Sequence, residues 1–282
     1  MFDAATYLDR IGCGDARTVS VESLRQLQKN HLMTVPYNRN VPLTGTLPDG
    51  STGFALVDVD QDALFELSVL EGRGGICFHL NRLFFRLLTE LGYEADLIGA
   101  GTAEGLVYFG SDIDHMLIRV TLGGEHWLVD VGYPGPSYLE PLSLTEGVQR
   151  QYGSQFRLAA EEGRLVLSRR GRATRWSEIY RVRDRSRRPE DWTGLETHLR
   201  RQAEEATPED ADTILCGRAY ADGQTVLKGR RLLTVRDGRE RVRTLVDDDE
   251  LRRELDEILT PRTTRQTGTT DKAGTTQKAG TR

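Results

Sequence analysis

Hydrophobic positions recur at two different periods along this chain, and the change of period divides it. Tyr7, Leu8 and Ile11 predict a short helix stopped by Gly12. After Ser20, the positions Val21, Leu24, Leu27, His31 and Leu32 keep helical spacing until Pro36 ends the run. Pro42, Gly45, Pro48, Gly50 and Gly53 mark a loop, and Leu64, Leu67 and Leu70 predict a further helix leading into Gly72. Leu80, Leu83, Phe84, Leu87, Leu88 and Leu91 then form the stripe of a helix buried on one side, with Gly92 as its stop.

From Ala95 the period becomes that of strands. DLIGAGTA, LVYFG, HMLIRVTL and HWLVDVGY are short, rich in branched and aromatic residues, and separated by Gly or Asp, which predicts an antiparallel sheet or barrel to about residue 185. Beyond Pro189 the pattern mixes: helices over Trp192 to Glu205 and Asp248 to Leu259, strands near Thr225 to Leu227, Arg231 to Val235 and Val242 to Val246. The class expected is α+β. Residues 261–282 nearly repeat KAGTT, lack apolar periodicity and predict a disordered tail.

Composition narrows the picture further. At 282 residues, with 38% hydrophobic and 29% charged, the chain reads as a soluble globular protein of about two domains. No apolar run approaches the roughly 18 residues that span a bilayer, and MFDAATYLDR lacks the basic and apolar regions of a signal peptide, so a cytoplasmic protein is expected. A net charge of -5 gives no reason to expect nucleic acid or an anionic membrane as partner. Cys13, Cys77 and Cys216 show neither a disulfide framework nor metal-ligand spacing.

Of the three thiols, Cys77 has a setting. It falls at the start of the striped helix, where unpaired N–H groups and the helix dipole favour an anion such as a thiolate. Gly74 and Gly75 before it allow a turn closed to other residues and close approach of a substrate, and Arg73 is placed to anchor that turn on a carboxylate. Without those surroundings Cys77 would read as one more small buried hydrophobe, as Cys13 and Cys216 do.

A nucleophilic cysteine calls for a base, and the base for an orienting group. His31 and His198 lie in amphipathic helical segments, His79 follows Cys77 on its own helix, and His126 flanks a turn. His115 stands in DHMLIRVTLGGEHWLVDVG, two strands meeting at Gly123-Gly124. A two-residue hairpin there pairs Leu122 with Glu125, Leu117 with Asp130 and His115 with Gly132, making His115 and Asp130 diagonal neighbours roughly 7–8 Å apart at the backbone. A three-residue loop would put them on opposite faces. Gly132 opposite the histidine leaves space, and Asp130 among Leu128, Val129 and Val131 needs a partner.

With these residues in view, the sequence resembles the arylamine N-acetyltransferases. RGGICFHLN at 73–81, DHMLIRV at 114–120 and WLVDVGYPGP at 127–136 carry the likeness, supported by HLMTVPYN at 31–38 and GRRLLTV at 229–235. The resemblance implies a Cys-His-Asp triad on Cys77, His115 and Asp130 and a cysteine-protease-like core. It implies a helical bundle over 1–92, a β-barrel over 93–188 and an α/β lid over 189–260. It also implies ping-pong transfer of an acyl group from a thioester, acetyl-CoA or a carrier-protein thioester, to an aromatic amine, with no permanently bound cofactor or metal. Arg73, Gly75, Phe78, Tyr108, Phe109 and Gly132 are the candidate substrate-binding residues, with Leu106 beside them.

Two departures accompany the likeness. Tyr37-Asn38-Arg39-Asn40 and His79 stand where the family usually has carboxylates, which removes two acids from the neighbourhood of Arg73. Such drift resembles the ansamycin-type amide synthase branch, which releases a polyketide from an acyl carrier protein by intramolecular macrolactam formation. Ten arginines between Arg164 and Arg188 suit an acidic carrier or CoA phosphates, or else a solvated face. Two other classes compete. A hydrolase or transglutaminase-like enzyme shares the order Cys, His, Asp, and a non-enzymatic scaffold would tolerate His79 and Asn38.

Overall fold

Side chains start the first two helices. α1 (Ala4–Arg10) follows Asp3, whose carboxylate accepts from Thr6 N at 2.8 Å, and α2 (Val21–Thr34) follows Ser20, whose hydroxyl accepts from Ser23 N at 3.1 Å. The computed structural model describes residues 1–40, 44–46, 52–104, 108–205 and 214–260. Leu106 and the tail expected at 261–282 lie outside them.

After α2 come β1 (Tyr37–Asn38) and a hairpin of β2 (Thr44–Thr46) and β3 (Thr52–Phe54), within the stretch expected as loop. The helix expected through Leu64, Leu67 and Leu70 begins as α3 (Gln61–Phe65) and widens into a π-helical turn, Glu66–Leu70, closed by Glu71 N to Glu66 O at 2.9 Å. The extra residue in that turn moves burial from Leu67 and Leu70 to Ser68 and Val69. α4 (Cys77–Glu90) follows, with Leu80, Leu83, Phe84, Leu87 and Leu88 wholly buried. Each such side chain is worth about 1.5–3 kcal/mol of transfer free energy, so this stripe fixes the helix that carries Cys77.

Nine strands then form one antiparallel sheet. They are β4 (Glu94–Glu104), β5 (Tyr108–Phe109), β6 (His115–Leu122), β7 (Glu125–Val129), β8 (Leu142–Ser143), β9 (Gly147–Gln151), β10 (Ser154–Glu161), β11 (Arg164–Arg170) and β12 (Ser177–Arg187). Their order is β8-β7-β6-β4-β12-β11-β10-β9, with β5 on β4. The two edges are joined by a side-chain amide: Gln149 of β9 accepts from Ser143 N at 2.9 Å and donates to Ser143 O at 2.7 Å. The sheet is thereby a nearly closed barrel. Alternation along β6 serves two cores, Met116, Ile118 and Val120 packing with the helices and Leu117 with the barrel interior.

A 3-10 turn (Pro189–Trp192) leads into α5 (Thr193–Glu205), so Trp192, expected in the helix, precedes it. β13 (Leu215–Tyr220), β14 (Gly223–Lys228), β15 (Arg231–Arg236), β16 (Arg239–Thr244) and α6 (Asp248–Leu259) complete the chain. The strand expected to reach Val246 ends at Thr244, and β13 was not foreseen because Gly217 and Arg218 interrupt its apolar pattern. The second sheet runs β1-β13-β14-β15-β16, so a strand next to the helical region borders the C-terminal sheet. No helix among the described residues is long and apolar enough to cross a membrane.

Candidate active site

The site is assembled where the first turn of α4 meets the β6–β7 hairpin. Cys77 is the first residue of α4, following Ile76 at the N-cap, and is 8% exposed. Before it, Gly72 and Gly74 take the left-handed backbone with φ of 73° and 74°, whereas Gly75 does not. The expectation that Gly74 and Gly75 share the turn is corrected accordingly. A Cβ on Gly74 would lie 2.0 Å from Pro36 O, so this glycine lets the Cys77 loop lie against the end of α2. Gly75 instead bridges to Tyr37, its carbonyl accepting from Asn38 N at 3.0 Å.

The hairpin has the expected register. Leu122 pairs with Glu125 across Gly123-Gly124, and the ladder continues to Ile118 with Val129. There it stops, one residue short of Asp130, so the expected pairs of Leu117 with Asp130 and His115 with Gly132 do not form. The cause is local: Asp130 Oδ1 accepts from Gly132 N at 2.9 Å and turns the chain out of the strand. Parity is kept, and His115 Nε2 lies 2.6 Å from Asp130 Oδ2, with both side chains 1% exposed. Gly132 makes room, though not for the histidine. A Cβ there would sit 2.5 Å from Cys77 Cα and 2.8 Å from Asn81 Nδ2.

Electrostatics follow from this packing. Burial opposes charge on His115, but Asp130 and Cys77, each also hydrogen-bonded to the ring, outweigh it and raise its pKa to about 10. At neutral pH the imidazole is therefore an imidazolium. With Nε2 held by the carboxylate, Nδ1 remains for the sulfur. Burial pushes Cys13 up to about 11 against the Asn30 amide, and Cys216 up to about 12 against the charge of Arg218.

Several residues at the site were not anticipated. Asn81, one turn after Cys77, donates to Asp130 Oδ1 at 3.0 Å and Met116 O at 2.7 Å, and accepts from Val131 N at 3.0 Å. It ties the cysteine helix to β6, which begins at His115, and to the turn after β7 that holds Asp130. The His115 ring packs on Tyr133 and Tyr180 with centroids 5.7 and 5.5 Å away. Burial, and then Cys77, hold the Tyr37 hydroxyl well above its usual pKa. A narrow cleft runs from Tyr37, Asp130 and Tyr133 to Gly217 and Gln224 of the C-terminal sheet.

The remaining candidates are spread out. Phe78 is buried against Trp192, centroids 6.4 Å apart. Arg73 pairs with Glu71 at 2.7 Å on the surface, and its carbonyl accepts from Asn38 Nδ2 at 3.1 Å. Tyr108 is 64% exposed, and Phe109 lies under the Arg181 guanidinium at 5.1 Å. His79 is buried with Nε2 3.3 Å from Ala55 O, and burial lowers its pKa to about 4, so the ring is neutral at neutral pH.

Fold and sequence together place the chain in a known group of acyltransferases. The N-acetyltransferase family profile matches residues 20–261, and the chain belongs to that family. It is 51% identical over 252 residues to proansamycin X synthase of Amycolatopsis mediterranei (strain S699), covering 89% of this chain and 95% of that protein. Arylamine N-acetyltransferase 1 of Homo sapiens is 29% identical over 224 residues, covering 70% of this chain and 72% of that one. Among solved structures, Mycobacterium marinum arylamine N-acetyltransferase in complex with CoA aligns with a TM-score of 0.74 at 26% identity, over 90% of this chain and 91% of that one.

Proposed function

We propose that the protein makes amides by passing an acyl group from a thioester, through Cys77, to an aromatic amine. The single observation that carries this reading is the buried His115–Asp130 pair beside a cysteine at a helix start. The Cys77 sulfur attacks the thioester carbonyl, the donor's C–S bond breaks, and the departing thiol takes a proton from His115. The amine nitrogen then attacks the Cys77 thioester. His115 accepts the amine's proton, the amide forms, and the sulfur is released. Asp130 keeps the imidazole in the tautomer and orientation both steps need. Acyl-CoA fits the donor role, as the complex with CoA in a related structure supports.

A second reading, within the same chemistry, is favoured by the 51% identity to proansamycin X synthase. Here the acyl group arrives on a carrier protein, and the amine belongs to the same polyketide, so the second half-reaction closes a macrolactam. Intact-mass measurement after exposure to acyl thioesters tests both. The expected result is a single acyl adduct on Cys77 that an arylamine discharges as the amide. A folded sample with no adduct from acyl-CoA or from an acyl carrier protein would end the proposal.

A further inference from the structure

The chain has a net charge of -5, yet ten arginines between Arg164 and Arg188 face only two carboxylates in that stretch, Glu178 and Asp184. The fold puts them on the adjacent strands β11 and β12 and their connections. Some serve the scaffold. Arg169 holds Glu240 at 2.8 Å and Arg172 holds Asp237 at 2.6 Å, fastening the β15–β16 turn to the barrel, while Asp184 is taken by Arg119 at 2.6 Å. Three more share one partner: Asp112 meets Arg164 at 3.0 Å, Arg183 at 3.6 Å and Arg181 at 3.8 Å. A single carboxylate leaves most of that charge unbalanced. Arg175, Arg185, Arg187 and Arg188 form no ion pair with a carboxylate among the described residues.

This surface has a definite place in the fold. The pairing of β12 with β4 slips between Val182 and Ser186, and Arg183 and Arg185 are exposed in the resulting bulge. Asp112 belongs to the loop that runs into His115, and that loop lies flat on two glycines of β4. A Cβ on Gly99 would be 2.4 Å from Asp112 O and 3.1 Å from Arg187 Nε, and one on Gly101 would be 2.5 Å from Gly110 O. Ile113 O of the same loop accepts from Trp192 Nε1 at 2.9 Å, and Trp192 packs on Phe78, the neighbour of Cys77. The basic surface thus borders the loop that joins two components of the site.

We infer that the β12 bulge and its flanking arginines are the docking surface for an acidic protein that presents the acyl group as a tethered thioester. This deepens the amide synthase reading and rests on it. Arg181 to Arg188 spans up to about 23 Å of extended chain, too wide a row to converge on one diphosphate, and guanidinium forks suit a face of scattered carboxylates. Such complementarity raises the rate of encounter and fixes orientation.

The test compares one acyl group on three donors: an acidic acyl carrier protein, CoA and N-acetylcysteamine. The double variant Arg185→Glu/Arg187→Glu is set against wild type and against Arg253→Glu, a charge reversal on α6. The expected result is a KM for the carrier thioester raised about ten-fold or more at low salt, with CoA and N-acetylcysteamine turnover unchanged and Arg253→Glu silent. Equal losses on carrier and CoA would mean that the arginines read phosphate, and losses on all three donors would mean that they hold the fold. Either result, or no loss on any donor, overturns the inference. If the wild type accepts no thioester at all, it is the proposed function that fails.

Discussion

Two buried histidines of this protein face opposite surroundings. His31 sits among Tyr7 and Phe84, with Nδ1 2.9 Å from the Tyr7 hydroxyl and Nε2 without a hydrogen-bond partner among the described residues, and burial lowers its pKa to about 3. His115 is as deeply buried, yet Asp130 and Cys77 raise it to about 10. Their nearby cysteines divide the same way. Cys13, 1% exposed, has long contacts with Ile11 O and Gln26 O at 3.8 Å and the neutral Asn30 amide beside it, while Cys77 faces an imidazolium. Burial by itself silences a titratable group, and a carboxylate buried with it restores the charge.

The sharpest way to break the comparison is to remove each sulfur. Cys77→Ala is expected to abolish the acyl adduct in an intact-mass assay, and Cys13→Ala to leave it unchanged. An adduct that moved to Cys13, or that survived in Cys77→Ala, would make the difference in surroundings irrelevant to chemistry. Next in size is Asp130→Asn. The amide can keep the bonds from Asn81 and Gly132 to Oδ1, but it places no charge beside Nε2 and lets the imidazole take the wrong tautomer. A loss of roughly 10⁴-fold in turnover is expected by analogy with other triads. Near-normal turnover in that variant would reduce Asp130 to a structural anchor.

How far the site was readable follows from which signals are local. Period two along HMLIRVTL and the Gly123-Gly124 turn are local, and they gave the parity that puts His115 and Asp130 on one face. The end of β7 at Val129 was not readable, because an Asp can pair in a strand or turn out of it, and here a bond to Gly132 N decides. Asn81 was within reach: a polar residue one turn after Cys77, wholly buried, lies on the side of α4 that faces the hairpin. Tyr37 and Tyr180 were beyond reach, since they arrive from β1 and β12 and only the assembled sheets bring them near the site. Spacing alone also cannot say which of Gly72, Gly74 and Gly75 must take a positive φ.

Gly132→Ala sharpens the comparison by distance rather than charge. The added methyl carbon would lie 2.5 Å from Cys77 Cα, and backbone must shift to accept it, moving the helix start away from the turn that holds Asp130. A displacement near 1 Å costs catalysis about 10²-fold. The matching adduct-rate measurement should show slow acylation in a protein that still folds but is less stable by about 1–3 kcal/mol. Gly123→Ala is the control: among the described residues beyond its chain neighbours, nothing lies within 4 Å of its Cβ, so only the φ of 60° is strained, and acylation should keep its rate.

The smallest effect belongs to the quiet histidine. Tyr7→Phe removes the partner of His31 Nδ1 and leaves a buried polar atom unpaired, at a cost of about 1–3 kcal/mol. The melting temperature should fall by several degrees while the Cys77 adduct forms at the wild-type rate; slower acylation would show that the two regions are coupled. Their pH dependence has opposite sign. His31 has a folded pKa near 3 against an ordinary 6.5, so the unfolded chain binds the extra proton and stability falls as pH drops from 6.5 toward 3. His115, at about 10, contributes stability that is complete below 6.5 and lost as pH rises through 10. Asp130→Asn should therefore flatten the alkaline limb of a stability-against-pH curve and His31→Gln the acid limb, each leaving the other in place. If either change altered both limbs, the two sites would not be electrostatically independent.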